Sequence, residues 1–382
     1  GTHGTDRLEV LVNLTWLVPG VVGGSEESTT DALRAVLEHH PEVALTLAVL
    51  EPFAAAHPDL AEACRCEVLR QDGSVKARRV LSEQSWLARR TRALHPDVVH
   101  HAGGVVPLVH PGRVVLTIHD LQPVDLPANF ATTKRSYARA MLGRSARVAE
   151  VICVPSEFTS ERAQVLLGVA PERIRVVPWA TPLPGAPGGP AEKRWEVGEP
   201  PVFLYPAITY PHKNHLELLE AFAGVLSRIP DARLLMPGGP GPLEHDVSAR
   251  AARPDLAGHV TRPGRVANHT LESMYASATA VVVPSTYEGF GLPALEAMAR
   301  GVPVVVADAG SLPEVVGHAG IAPVAGGSGR WADAMVQVAS LDAAGRGELV
   351  AAQLEQAARF GSRRTADALV GAYRAAAGSP RV

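Results

Sequence analysis

Short, continuous apolar runs recur along the chain, each closed by glycine or proline and followed by a segment of helical periodicity. A first series predicts strands at 8–14, 44–50, 97–100, 114–118, 151–155 and 174–178. A second predicts them at 201–207, 232–238, 259–264, 279–285 and 303–308. A strand that is apolar on both sides of its pleat needs cover on both faces, which intervening helices provide when the strands run parallel. Two series therefore imply two doubly wound α/β domains, and 382 residues exceed what one core usually organises.

Between the series, residues 180–201 hold six prolines and four glycines with no apolar periodicity, the composition of a linker. The expected organisation is a first domain over 1–180, a linker over 181–200, a second domain over 201–361, and a helix with tail over 362–382 that can pack on either domain.

A net charge of −3 supplies no electrostatic footprint for nucleic acid or an anionic membrane, although a local basic patch would not show in such a sum. Peripheral membrane contact and oligomeric state stay open. Three cysteines, Cys64, Cys66 and Cys153, lack zinc-site spacing and suit a reducing compartment, and no apolar run of spanning length occurs, so the expectation is a cytoplasmic protein. Only four of the 36 basic residues are lysines, Lys76, Lys134, Lys193 and Lys213, which makes the position of each informative.

In open parallel sheets, ligands bind outside the carboxyl ends of the strands. After the run ending at Ser285 comes YEGFGLPALEAMARG, residues 287–301. Gly289 and Gly291 let backbone approach a ligand, Pro293 suits the first turn of a helix and Gly301 its end. The helix start then faces an anion such as a diphosphate, with Glu288 and Glu296 accepting hydrogen bonds from sugar hydroxyls on either side. Taken singly, Glu296 could merely complement the helix dipole and Glu288 face solvent. After the run 201–207, Asn214 and Glu217 fit a helix cap and its third position, which puts Lys213 at a second helix mouth as a phosphate clamp rather than a solvated surface lysine. In the first domain, Gly23 and Gly24 form a turn that lacks both GxGxxG and GxxxxGKS, so it is no dinucleotide or P-loop signature. His119 ends a strand and can donate to a substrate oxygen or hold a proton, or serve structurally; His100 and His101 give a weaker signal of the same kind. There is no D-x-D or HExxH for a divalent metal and no GxSxG elbow, and Ser311 with Glu314 reads as a capping box. No cofactor is expected.

The stretch EGFGLPALEAMARGVPVVVADAGSLPEVVG, its two glutamates separated by seven residues, resembles the donor-site signature of retaining GT-B glycosyltransferases of family 4. In the expected order follow GGSE, TIHDLQP, the segment VICVPSEFTSERAQVLLGVAPERIRVVP, YPHKN, PGRV and the terminal FGSRRTADALVGAYR, so the likeness covers most of the chain. It implies two Rossmann-like domains facing a cleft that holds the active site. It further implies that Glu288 binds donor-sugar hydroxyls, that Gly289 and the amides of Phe290, Gly291 and Leu292 meet the sugar or diphosphate, and that Glu296 holds the ribose. Lys213 would stabilise the departing diphosphate, Val266 would line the base pocket through its backbone, Gly23 and Gly24 would approach the diphosphate, and His119 would lie near the transferred sugar. The implied partners are a nucleotide-diphosphate sugar and a hydroxyl-bearing acceptor, small molecule, glycan or lipid-linked.

Two departures from the family pattern stand out: Pro206 and Ala207 where relatives often carry Gly-Arg, and Trp179-Ala180 where many have Asn-Gly. The first shifts the diphosphate's charge onto Lys213, helix termini, or a basic side chain such as His212, Arg262 or Arg265. Rival expectations are a GT-B sugar-nucleotide epimerase or phosphorylase, and a non-catalytic nucleotide-sugar binding protein; a nicotinamide dehydrogenase is disfavoured by the missing GxGxxG.

Overall fold

In a computed structural model of the chain, the residues described are 7–21, 23–129, 132–180, 195–319, 321 and 324–379. The chain divides into two compact units, Gly1–Ala180 with Ser362–Val382, and Thr181–Gly361. Of the expected linker, residues 181–194 lie outside the described residues.

Among the described residues the first unit has seven strands, β1 (Leu8–Asn13), β2 (Val43–Leu50), β3 (Arg65–Leu69), β4 (Val98–His101), β5 (Val114–Thr117), β6 (Val151–Val154) and β7 (Ile174–Val176). They lie in the order β3-β2-β1-β4-β5-β6-β7, every pair parallel. Six of these were expected. β3, RCEVL, was not, because as an edge strand it carries charged residues and only Leu69 is buried. Along β5 and β6 successive side chains enter different cores: Val115, Val151 and Cys153 join one cluster, and Val114, Leu116, Ile152 and Val154 the other. That alternation places the two cores on opposite faces of the sheet.

The first of these cores is completed by two helices far apart in sequence, Gly24–His39 and Ser362–Gly378. The C-terminal helix contributes Leu369, Val370 and fully buried Tyr373, whose hydroxyl lies 2.9 Å from His100 Nδ1. Thr365 Oγ1 donates to the Pro178 carbonyl at 2.7 Å. The helix that could have packed on either domain thus belongs to the first.

Among the described residues the second unit has five strands, β8 (Val202–Leu204), β9 (Arg233–Leu235), β10 (Val260–Thr261), β11 (Ala280–Val283) and β12 (Val304–Val306). Their order is β10-β9-β8-β11-β12, again all parallel. The strands are shorter than expected, since Pro206, Pro237, Pro263 and Pro284 end them by removing a ladder donor. Chain direction across the sheet reverses between β8 and β11, which pair at Phe203 with Ala280 and Leu204 with Val281. Such a reversal opens a crevice at the carboxyl ends of the two strands.

Candidate active site

Lys213 leaves the end of β8 and Glu288 the end of β11, so the topology delivers both to that reversal. Beyond β8 the chain forms a 3-10 turn at Pro211–Lys213, then Asn214, then helix His215–Leu226. Asn214 was expected to cap this helix through its side chain. It instead adopts left-handed backbone, φ 57° and ψ 36°, and makes no side-chain cap bond; a capping side chain needs extended backbone at that position. Buried Tyr205 fixes the turn by donating its hydroxyl to the Lys213 carbonyl at 2.8 Å, and it lies 3.0 Å from Ser285 Oγ at the end of β11.

Beyond β11, Gly291 stands at the N-cap of helix Leu292–Ala299 with φ 98°, and a Cβ there would come within 2.7 Å of Leu312 Cδ2. Left-handed backbone and lack of room both demand glycine. Pro293 occupies the first turn, and Gly301, φ 69°, follows the last. Glu288 is buried, 7% exposed. Its carbonyl accepts from the Ser311 amide at 3.2 Å and Ser311 Oγ at 3.1 Å, while a Cβ on Gly310 would fall 2.7 Å from the Glu288 nitrogen. Ser311 was expected to cap the helix that follows it; it has helical backbone and no cap bond, because its hydroxyl is spent on Glu288.

Lys213 Nζ donates to Glu288 Oε1 at 2.6 Å, with side-chain exposures of 19% and 9%. The cation expected at a diphosphate and the carboxylate expected at a sugar are therefore partners of one another. Glu296 has other company: its Oε2 accepts from Tyr275 at 2.8 Å, and Arg300, held by Glu272, stacks 4.7 Å over the Tyr275 ring. Phe290 is 1% exposed and packs edge-on against Phe360 at 5.6 Å, which leaves its backbone rather than its ring to meet a ligand. Gly289 is buried beside it, and Leu292 opens the helix half-buried.

At Ala207, where an arginine was missing, Gly238 packs directly on the carbonyl. Of the substitutes, His212 is held neutral at pH 7: burial lowers its pKa to about 4, with the Lys213 charge pushing the same way against Glu288. Arg262 is clamped by both Glu244 oxygens at 2.9 and 2.8 Å, and Glu244 also takes the Thr209 hydroxyl at 3.0 Å. Arg265 is exposed on the loop that carries half-buried Val266 and is anchored by the Gly238 amide on the Gly264 carbonyl at 2.9 Å.

In the first unit Gly23, φ 72°, is the N-cap of helix Gly24–His39 with no side-chain cap bond, and Gly24 is that helix's first residue. His119 Nε2 lies 2.8 Å from the Ala102 carbonyl, and a carbonyl only accepts, so this nitrogen carries the proton. Nδ1 is a buried acceptor without a hydrogen-bond partner among the described residues. The ring sits between Trp16 and Trp179, centroids 5.7 and 5.6 Å away, beside a cavity of about 30 Å³, and burial lowers its pKa to about 4. The expected donation to a substrate oxygen is thus corrected: near neutral pH His119 can only accept. A second network was missed. Asn13, at the end of β1, accepts from the Thr15 amide and hydroxyl at 3.2 and 2.8 Å through Oδ1, so its Nδ2 donates to Glu83 at 2.5 Å and His101 Nδ1 at 3.1 Å. Its one sequence signal was a polar residue closing an apolar run at the β1/β4 reversal.

Residues 22–182 match the family described as Glycosyltransferase Family 4, and residues 191–342 the family described as Glycosyl transferases group 1. The chain is 30% identical over 239 residues to O-antigen chain mannosyltransferase B of Escherichia coli, covering 58% of this chain and 63% of that one. It is 32% identical over 290 residues to a D-inositol 3-phosphate glycosyltransferase of Saccharomonospora viridis, covering 71% and 65%. The chain thus spans somewhat under two thirds of the length of these relatives. Anabaena HepE, solved in complex with UDP-glucose, superposes with a TM-score of 0.69 at 19% identity over 95% of this chain and 98% of that one. Two family matches, one falling mainly in each unit, thus stand beside a fold shared with solved GT-B structures.

Proposed function

We propose that this chain is a GT-B glycosyltransferase that moves a hexosyl unit from a nucleotide-diphosphate sugar to a hydroxyl acceptor, with retention of configuration and without a metal ion. The observation that carries the reading is the convergence of Lys213 and Glu288 at the β8/β11 reversal, beside the Gly291 helix start. Relatives and neighbours named for mannosyl or other glycosyl transfer, and one holding UDP-glucose, support the donor class.

In this reading Lys213 and the Leu292 helix terminus stabilise charge that develops on the departing diphosphate. Glu288 orients the sugar, with Gly289 and the Phe290 and Gly291 backbone close to it, Glu296 holds the ribose, and the Val266 backbone lines the base. Gly23 and Gly24 approach the diphosphate, and His119 accepts a hydrogen bond from the transferred sugar through Nδ1. Retention is assigned to front-face substitution: the C1–phosphate bond breaks with its electron pair leaving on the diphosphate, the acceptor oxygen bonds to C1 on the same face, and the acceptor's proton passes to the departing phosphate oxygen. Metal independence rests on the absence of any D-x-D in the sequence.

The test begins with a thermal-shift panel of nucleoside diphosphates and their sugars, since preferential binding to the folded state raises the melting temperature. The donor selected is then turned over with chelator present, and the product's anomeric configuration read by NMR. Inversion, or dependence on added divalent cation, would refute that part of the proposal; sugar epimerisation without transfer would favour the epimerase, and no turnover the binding protein.

We further propose peripheral contact with an anionic membrane through helix Lys76–Leu94. It bears Lys76, Arg78, Arg79, Arg89, Arg90 and Arg92, its single acid Glu83 turns to Asn13, and Leu81 is 71% exposed. Among the described residues no helix is long and apolar enough to cross a membrane. Co-sedimentation with phosphatidylserine vesicles, lost in Arg78→Glu/Arg89→Glu, is the expected result.

A further inference from the structure

Lys213 and Glu288 are bound to each other at 2.6 Å, both largely shielded from water, and both backbones are anchored. Tyr205 holds the Lys213 carbonyl; Ser311 and Gly310 hold the backbone of Glu288. Neither side chain can be displaced by moving its loop, so a ligand that needs the ammonium must compete with the carboxylate for it. Of the neighbouring basic groups, His212 is neutral, Arg262 is clamped by Glu244, and Arg265 is exposed, where solvent screens its charge.

We infer that Glu288 makes the site discriminate between a nucleotide sugar and a bare nucleoside diphosphate, and so drives product release. The inference rests on the proposed glycosyl transfer. A donor brings its own hydroxyl groups to Glu288, which accepts from them and yields Lys213 to the diphosphate. A nucleoside diphosphate brings the phosphates without the hydroxyls. Among the described residues Lys213 is the side-chain donor Glu288 meets, so Glu288 stays on it and repels the added negative charge of the freed terminal phosphate. Once the sugar has left, the ion pair re-forms and the nucleotide is weakened in place. Recognition of sugar and phosphate is thereby coupled through one proton-rich contact, a linkage that is reciprocal by thermodynamic necessity.

The experiment measures binding of UDP, GDP, UDP-glucose and GDP-mannose by calorimetry to the unaltered chain, Glu288→Gln, Glu288→Asp and Glu296→Gln. Glu288→Gln keeps the side chain's shape and removes its charge; Glu288→Asp keeps the charge and withdraws it by one methylene, and serves if the first variant fails to fold. The expected result is that the preferred nucleoside diphosphate binds at least about fivefold tighter to Glu288→Gln, the low end of typical coupling between two ligands. Its sugar should bind no tighter, Glu288→Asp should show a smaller gain, and Glu296→Gln none. Unchanged or weaker diphosphate binding in both Glu288 variants overturns the inference while leaving glycosyl transfer standing. An equal gain in Glu296→Gln also overturns it, since general loss of negative charge would then suffice. If the unaltered chain binds no diphosphate or sugar nucleotide, the transferase reading itself fails.

Discussion

At the scale of single residues, the proposed transfer makes its heaviest demand on Lys213. Removing one preorganised stabiliser of developing charge typically costs a hundredfold or more, so Lys213→Ala is expected to lower turnover by at least ~100-fold. Steady-state assay alongside a thermal melt checks this; near-normal turnover would move the clamp elsewhere. Gly291 makes an independent demand. Left-handed backbone costs a residue bearing a Cβ about 1–2 kcal/mol, and here that atom also meets Leu312. Gly291→Ala should therefore lower both the unfolding midpoint in urea and the donor affinity, whereas Gly143→Ala, inside helix Thr132–Val148 with room for a Cβ, should raise the midpoint and leave donor affinity unchanged. The residue types and spacing of Glu288, Gly291, Pro293 and Lys213 were legible in sequence because glycine, proline and rare lysine carry conformational or compositional information by themselves. What Ser311, Asn214 and His119 do was not. Each satisfied a local pattern, a capping box, a cap, a strand-end histidine, yet its hydrogen-bond partner lies far away along the chain or was fixed by backbone geometry that no neighbouring residue specifies.

At the scale of elements, strands buried on both faces announced themselves, because β-branched runs such as AVVV in β11 and VICV in β6, closed by proline, suit a covered parallel sheet. The edge strand β3 did not, since half of its surroundings are water. The terminal helix was visible as a helix and silent about its home: Ala366, Leu369, Val370 and Tyr373 mark an apolar stripe without naming the surface it meets. Its packing into the first core predicts that a chain ending at Gly361 leaves that surface bare. Limited proteolysis and circular dichroism should then show the first unit digested and the second protected; equal protection of both would mean the helix is dispensable. Tyr373→Phe offers a milder probe. Loss of the contact to His100 leaves a buried polar atom short of a partner, at a cost of about 1–3 kcal/mol.

At the scale of the whole molecule, acid should be the condition that unfolds it first. Burial lowers the pKa to about 3 for His100 and His101 and to about 4 for His119, His212 and His215. Each is neutral when folded and, with an ordinary pKa of about 6.5, takes up a proton in the unfolded chain. Between about pH 6.5 and 4 the unfolded state therefore binds more protons, so stability present above that range is lost as pH falls through it. The slope is about 1.4 kcal/mol per pH unit for each histidine fully engaged. Melting temperature measured from pH 7.5 to 4.5 should drop steadily below about 6.5; a flat profile to pH 5 would mean these rings are not buried as described.

The return of residues 362–378 to the first unit also sets the order of events during synthesis. A ribosome making this chain releases the first sheet long before the helix that closes one side of it, and the entire second unit emerges in between. The earlier-made half is consequently the later to mature, and until that helix emerges it must keep an unsealed apolar flank from sticking to its surroundings.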